Sequence, residues 1–312
     1  MNASPLIEAV PNFSEGRRVQ VIDELAAAVQ THGARLLHRT SDHDHNRTVL
    51  TVAGPPEPVL RGLFDAVEVA GSRIDLRRQR GVHPRLGAAD VVPLVPLREC
   101  SLAECARFAR QLGRRIGDKL GLPVYLYAAA AARPERRHIA DIRRGEYEAL
   151  IQQIRRPEYL PDFGPARAGP AGAVIVGARP ILIAFNVFLR SANVAAAKSI
   201  ARRIRESNGG LPAVRALGLR VDGQAQVSMN LVDYHTTPPL AVVEAIRQEA
   251  ARQSVALDRS ELIGLIPLDA LPGCEGLEWS SLSPQLLAEA AGALLLPALP
   301  VERILEYALR RL

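Results

Sequence analysis

The sequence predicts an α+β protein, an α/β sandwich made of two ferredoxin-like βαββαβ subdomains facing each other across a ligand cleft. Three observations predict it. In the first hundred residues the apolar period switches between two and about 3.6 in the order β-α-β-β-α-β. The same order returns in the second half, and a Pro-Pro pair opens a helix at matching places, Pro55-Pro56 and Pro238-Pro239. The chain has 312 residues, which suits about two domains. The expected division is 1–172 and 173–312.

The elements follow in order. Leu6 to Val10 reads as a strand, and "NFSEG" as a turn whose Ser14 caps a helix beginning near Arg17. Val21, Leu25 and Val29 form that helix's apolar face, and His32-Gly33 ends it. Strands are expected from Arg35 to Thr40 and from Arg47 to Ala53, around the loop "SDHDHN". After Pro55-Pro56 a helix runs to about Ala70, and "ADVVPLVPL" is a buried strand. An insert adds the amphipathic helix "SLAECARFARQLGRRIGDKLG" and the strand "LPVYLYA". The Pro- and Gly-rich stretch from Pro157 to Gly172 reads as a linker. The second unit runs from the strand "RPILIAFNVFL" through a helix over Asn193–Glu206. Two strands follow around the hairpin signal Asp222-Gly223, then a helix after Pro238-Pro239 and the strand "ELIGLIPL". Two further helices follow Ser280, and Trp279 reads as a packing anchor.

Composition removes several function classes. Apolar residues make up 48% and charged residues 23%, as in folded soluble proteins. No apolar run is long enough to span a membrane, and "MNASPLIEAV" lacks the basic and apolar regions of a secretory leader. Three cysteines, Cys100, Cys105 and Cys274, fit a reducing cytoplasm better than a disulfide framework. The net charge of +6 is almost all arginine, scattered among acids and without interleaved aromatics. Small anionic ligands account for it, and no nucleic-acid partner is expected.

Two histidine constellations carry the chemistry. "RGVHPRLGAADVVP" holds His83 before a proline and between Gly81 and Gly87, in an extended loop that exposes an imidazole able to exchange protons near neutral pH. Arg80 and Arg85 beside it suit carboxylates. "TSDHDHNRT" holds Asp42, His43, Asp44, His45, Asn46 and Arg47. Alternation puts His43 and His45 on one side of an extended segment, where a proton relay, a substrate contact, a metal pair or a plain polar loop are all open readings. The cysteines have no histidine nearby.

Taken together, "EAVPNFSEGR", "DHNRTVLTVAGPPEPV", "GVHPRLGAADVVPLVPL", "RRGEYEAL", "PDFGP", "VGARPILIAFNVFL" and "QVSMNLVDY" resemble the formiminotransferase family over nearly the whole chain. The resemblance implies two facing subdomains with folate between them. It implies transfer of a formimidoyl group between N-formimidoyl-L-glutamate and tetrahydrofolate, with tetrahydrofolate as co-substrate and no metal. It also implies a cytoplasmic homodimer and a monofunctional form without a cyclodeaminase module. The family's catalytic histidine maps to His83. Its folate-binding stretch maps to Gly164, Pro165, Ala166, Arg167, Ala168, Gly169, Pro170, Ala171 and Gly172. An assisting aspartate of animal members aligns with Thr40, leaving Asp42 and Asp44 as candidates. Because both substrates carry carboxylates, Arg47, Arg85 and Arg179 are candidate clamps, with Asn12 as a further substrate contact. Formyl transfer from N-formylglutamate, folate binding without turnover, and a metal-dependent hydrolase using His43 and His45 are the rival readings.

Overall fold

The computed structural model describes residues 4–310 and 312; Met1–Ala3, part of the segment read for a secretory leader, lie outside it. The chain divides into two compact units, Met1–Pro180 and Ile181–Leu312.

The first unit begins with one strand broken by Pro11 into β1 (Leu6–Ala9) and β2 (Asn12–Phe13). Helix α1 (Val19–Ala28), the hairpin β3 (Arg35–Asp42) and β4 (Arg47–Gly54), helix α2 (Pro56–Arg73) and β5 (Ala89–Arg98) complete a βαββαβ unit. Then come α3 (Leu102–Leu120), β6 (Val124–Ala128), the short helices α4 (Ile139–Ile142) and α5 (Glu146–Gln153), and β7 (Val174–Ala178). Across the sheet the order is β3, β4, β1/β2, β5, β7, β6; the first four strands are antiparallel to their neighbours, and β5, β7 and β6 run parallel. Helices α1, α2 and α3 bury Leu25, Leu63 and Ile116 against Ile7, Leu50, Val52 and Leu94 on one face. On the other face α5 packs Leu150 over Val91, Tyr125 and Ile175. The rest of that face carries the polar residues described below.

Three sequence expectations change here. Ser14 does not cap α1: its hydroxyl donates to the Gly87 carbonyl at 2.7 Å. The Glu15 carboxylate accepts from the Arg17 and Arg18 amides instead, both at 2.9 Å, because α1 starts two residues later than expected and Ser14, just past β2, bonds the Ala88 and Gly87 carbonyls. The stretch from Pro157 to Gly172 is not a linker. The Phe163 carbonyl accepts from Val124 N at 2.9 Å, and the Ala171 carbonyl from Ala88 N at 2.8 Å, so the stretch is bound into the first unit. Strand β7, assigned by sequence to the second domain, fills the gap between β5 and β6; the division therefore lies after Pro180 and not after Gly172. A parallel strand needs a crossover, and the segment from β6 to β7 supplies it.

The second unit is β8 (Ile183–Leu189), α6 (Val194–Ile204), β9 (Val214–Val221), β10 (Gln224–Leu231), α7 (Pro239–Ala251) and β11 (Leu257–Ile263). Its sheet order, β11-β8-β10-β9, is antiparallel throughout. Asp222 and Gly223 both take positive φ, +48° and +76°, and close β9 onto β10 with Val221 opposite Gln224. Asn193 caps α6 on the Ala195 amide at 3.0 Å. Helices α8 (Pro284–Ala293) and α9 (Leu305–Leu309) extend this unit, and Trp279 meets the Tyr307 ring edge-on. Among the described residues no helix is long and apolar enough to cross a membrane.

Candidate active site

The polar end of the first sheet is organised around a residue that sequence reading passed over. Asp90, the second residue of β5, is fully buried. Its Oδ2 accepts from Arg47 Nη1 at 2.7 Å and from Arg143 Nη2 at 2.5 Å, and its Oδ1 accepts from the Leu86 amide at 2.7 Å. Arg47 also donates through Nε to Asn12 Oδ1 at 3.0 Å, and Asn12 donates to the Val10 carbonyl at 2.7 Å. Strands β2, β4 and β5 and the residue after α4 thus converge on one carboxylate. Burial alone pushes such a carboxyl up, but the charges of Arg143 and Arg47 outweigh it and hold Asp90 at about 2. Burial draws Arg47 down to about 10 against the pull of Asp90, which still leaves it charged at neutral pH. The centre therefore carries two guanidinium charges and one carboxylate.

His83 stands beside this centre. Its Nδ1 lies 2.7 Å from the Pro84 carbonyl. A carbonyl only accepts, so Nδ1 carries the proton and Nε2 keeps its lone pair. Burial first, then the charges of Arg47 and Arg143, push the imidazole well below its ordinary value, against a smaller opposing pull from Asp90. At neutral pH His83 is an uncharged base.

The loop holding His83 is fixed on both flanks by glycines. A Cβ on Gly81 would lie 2.2 Å from the His45 carbonyl oxygen, and one on Gly87 would lie 1.9 Å from that of Ala173. These close approaches let the loop bond the neighbouring backbone: Val82 N donates to Asp44 O at 3.0 Å, and Ala173 N to Leu86 O at 3.1 Å. Asn46 links the two loops further, donating to the Arg80 carbonyl at 2.9 Å and accepting from Gly16 N at 2.9 Å. As a result both the "SDHDHN" loop and the end of the 164–172 stretch meet the His83 loop. Gly172 bridges Gly87, and Gly169 accepts from the Tyr147 hydroxyl at 3.2 Å.

The remaining candidates separate cleanly. Asp42 pairs with His45, Oδ1 to Nδ1 at 2.9 Å, and accepts from the His45 amide at 2.6 Å. Burial raises the Asp42 carboxyl, but these His45 hydrogen bonds outweigh it and leave it lowered. The His45 ring centroid is 6.0 Å from that of His83. Asp44 instead lies 3.6 Å from His43, whose side chain is 74% exposed against 11% for His45. The two histidines therefore do not converge, and among the described residues no group of three His, Cys, Asp or Glu could hold a metal ion. Arg85 is buried, with its fork on Glu148 at 2.8 Å and 2.8 Å and its Nε on Gln79 at 3.0 Å; it anchors α5 to the His83 loop. Arg179 hydrogen-bonds Leu94 O through its amide, four residues along β5 from Asp90, and its side chain donates to Pro180 O at 2.9 Å. Asp90 and Arg143 were missed. The available signal was a carboxylate just inside the apolar run "ADVVPLVPL", since a buried charge requires a cation.

Comparison with known proteins adds a second line of argument. Residues 6–179 match the model of the formiminotransferase domain, N-terminal subdomain, and residues 184–275 that of the formiminotransferase domain. The chain is 45% identical over 273 residues to glutamate formimidoyltransferase of Thermoplasma acidophilum, covering 85% of this chain and 89% of that one. It is 39% identical over 270 residues to glutamate formimidoyltransferase of Streptococcus pyogenes, covering 85% and 90%. Formimidoyltransferase-cyclodeaminase of Rattus norvegicus is 43% identical over 278 residues, covering 86% of this chain and 51% of that longer one.

Proposed function

The chain belongs to the formiminotransferase family, and from that membership together with the state of His83 we infer that it transfers a formimidoyl group from N-formimidoyl-L-glutamate to tetrahydrofolate, giving 5-formimidoyltetrahydrofolate and glutamate in histidine degradation. The observation that carries the mechanism is the His83 imidazole with its Nδ1 on the Pro84 carbonyl, which leaves Nε2 free as a base.

The chemistry then balances on one imidazole. As the pterin N5 attacks the formimidoyl carbon, His83 Nε2 takes the N5 proton and a tetrahedral intermediate forms. Nε2 returns that proton to the glutamate nitrogen, the carbon–nitrogen bond breaks, and glutamate leaves. No net proton is gained or lost, and His83 ends as it began. Positioning two substrates in register removes much of the entropic barrier. Asp42 fixes His45 next to His83, which makes the Asp42–His45 pair the assisting group in this reading and leaves Asp44 without that role. The segment 164–172 supplies the folate contacts, mostly from backbone, and its hydrogen bonds to the His83 loop support that assignment. Tetrahydrofolate acts as a co-substrate. The same reading makes the protein a cytoplasmic homodimer, which sedimentation would test.

The test is tetrahydrofolate-dependent consumption of N-formimidoyl-L-glutamate by wild type and His83→Ala. A loss of about 10²- to 10⁴-fold in a folded variant that still binds folate is expected. Undiminished turnover in the variant would remove His83 as the shuttle. Turnover of N-formylglutamate in preference to the formimidoyl donor would change the transferred group and keep the site.

A further inference from the structure

Arg143 has no assigned role, yet it is built into the centre beside His83. Its Nη2 is fixed on Asp90 at 2.5 Å, while its Nε is buried and has no hydrogen-bond partner among the described residues. Its side chain as a whole keeps 13% exposure. A buried guanidinium N–H without a partner is costly. The centre is also one negative charge short, with Arg47 and Arg143 facing the single carboxylate of Asp90.

We propose that Arg143, held on Asp90 beside Arg47, receives the α-carboxylate of the glutamate-derived donor. This rests on the reaction inferred above, and substrate connectivity selects this carboxylate. The α-carboxylate hangs from the same carbon as the nitrogen to which His83 returns its proton. Wherever His83 meets that nitrogen, the α-carboxylate lies only a few ångströms away. The γ-carboxylate sits at the end of a flexible chain, and the carboxylates of folate lie beyond its aminobenzoyl ring from N5. The α-carboxylate is thus the anion that must fall near His83, where Arg47 and Arg143 both act on the imidazole. Binding it would satisfy the Arg143 N–H and balance the charge. A guanidinium recognises a planar carboxylate better than an ammonium does, so lysine should replace Arg143 only in part.

The experiment compares three donors on wild type, Arg143→Gln and Arg143→Lys. N-formimidoyl-L-glutamate carries both carboxylates, N-formimidoyl-L-glutamine keeps the α-carboxylate, and N-formimidoyl-4-aminobutanoate lacks it. Arg143→Gln should raise KM for the first two about ten- to hundredfold, with kcat changed much less. It should lower kcat/KM for the aminobutanoate donor far less than for the other two, and Arg143→Lys should recover part of the loss. Equal losses on all three donors, or an unchanged KM for the glutamate donor, would overturn the assignment. Calorimetric binding of L-glutamate to wild type and Arg143→Gln, both checked for folding by circular dichroism, reads the subsite without turnover. Weaker glutamate binding in the variant supports the subsite even if wild type transfers no formimidoyl group, which would count against the inferred reaction alone. Equal glutamate binding counts against the subsite.

Discussion

Arg47 and Asp90 meet at 2.7 Å from two parallel strands, with Asn12 of the intervening strand accepting from the same guanidinium, and neither partner is more than 8% exposed. The pair sits where β4 and β5 begin, next to the loop that presents His83. Chain segments far apart in sequence are thereby tied together at the point where the chemistry needs a fixed imidazole.

Replacing Asp90 by Asn should therefore unfold the protein more easily. Two guanidinium groups would stay buried without their counter-charge, which costs about 3–5 kcal/mol when a buried pair loses one partner. The measurement is chemical denaturation of the two proteins at pH 7. Wild type should also show an acid dependence from the same group. Its carboxyl titrates at about 2 when folded, below about 3.9 when unfolded. The stability it supplies is complete above the unfolded value and is lost as pH falls from about 4 towards 2. A variant no less stable than wild type at pH 7 would contradict the charge arrangement described here.

Some of this was legible in the residues and some was not. The Pro-Pro helix starts, the Asp222-Gly223 hairpin and the amphipathic helix α3 are local signals, and each lies where the sequence places it. His83 stands out because Gly81, Pro84 and Gly87 restrict the backbone around it. Asp90 does not stand out, because its partners lie 43 and 53 residues away and only the closed sheet brings them together. Strand β7 was misplaced for a related reason. The expected boundary after Gly172 leaves it in the second domain, and only tertiary pairing decides which sheet receives it. Arg85 reads in sequence as a candidate clamp for substrate carboxylates, but its acid partners Glu146 and Glu148 come from a helix over sixty residues later.

The close approach at Gly87 gives a second prediction. A methyl group there would press on the Ala173 carbonyl, where the nearest contact is backbone that cannot swing aside. Gly87→Ala should cost about 1–3 kcal/mol of stability and separate the His83 loop from the 164–172 stretch. Folate affinity should fall together with thermal stability. Unchanged affinity in a destabilised variant would mean that the stretch does not contact folate.

His43 and His45 should behave differently despite their near-identical sequence setting. His45→Ala removes the group between Asp42 and His83, and kcat should fall about hundredfold, at the low end of what a positioned proton-handling side chain contributes. His43 faces solvent, so His43→Ala should keep full activity. Steady-state kinetics of both variants decide this. Equal losses would restore the reading in which the two act as a pair.

The pH profile tests the electrostatics around His83 with variants of opposite sign. Burial and the charges of Arg47 and Arg143 hold the imidazole below its ordinary value, while Asp90 pulls the other way. The base form therefore persists below the usual histidine range. The acid limb of kcat/KM in wild type should lie below about 6.5, the unperturbed imidazole value. Arg143→Gln removes one of the charges that disfavour protonation, so its limb should move to higher pH. Asp90→Asn removes the charge that favours it, so the limb should move lower in whatever fraction stays folded. Rate profiles from pH 4.5 to 8 on each variant, with donor held far below KM, separate these shifts from changes in binding. If both variants moved the limb in the same direction, the field of the Arg47–Asp90–Arg143 cluster would not be what sets the protonation state of His83.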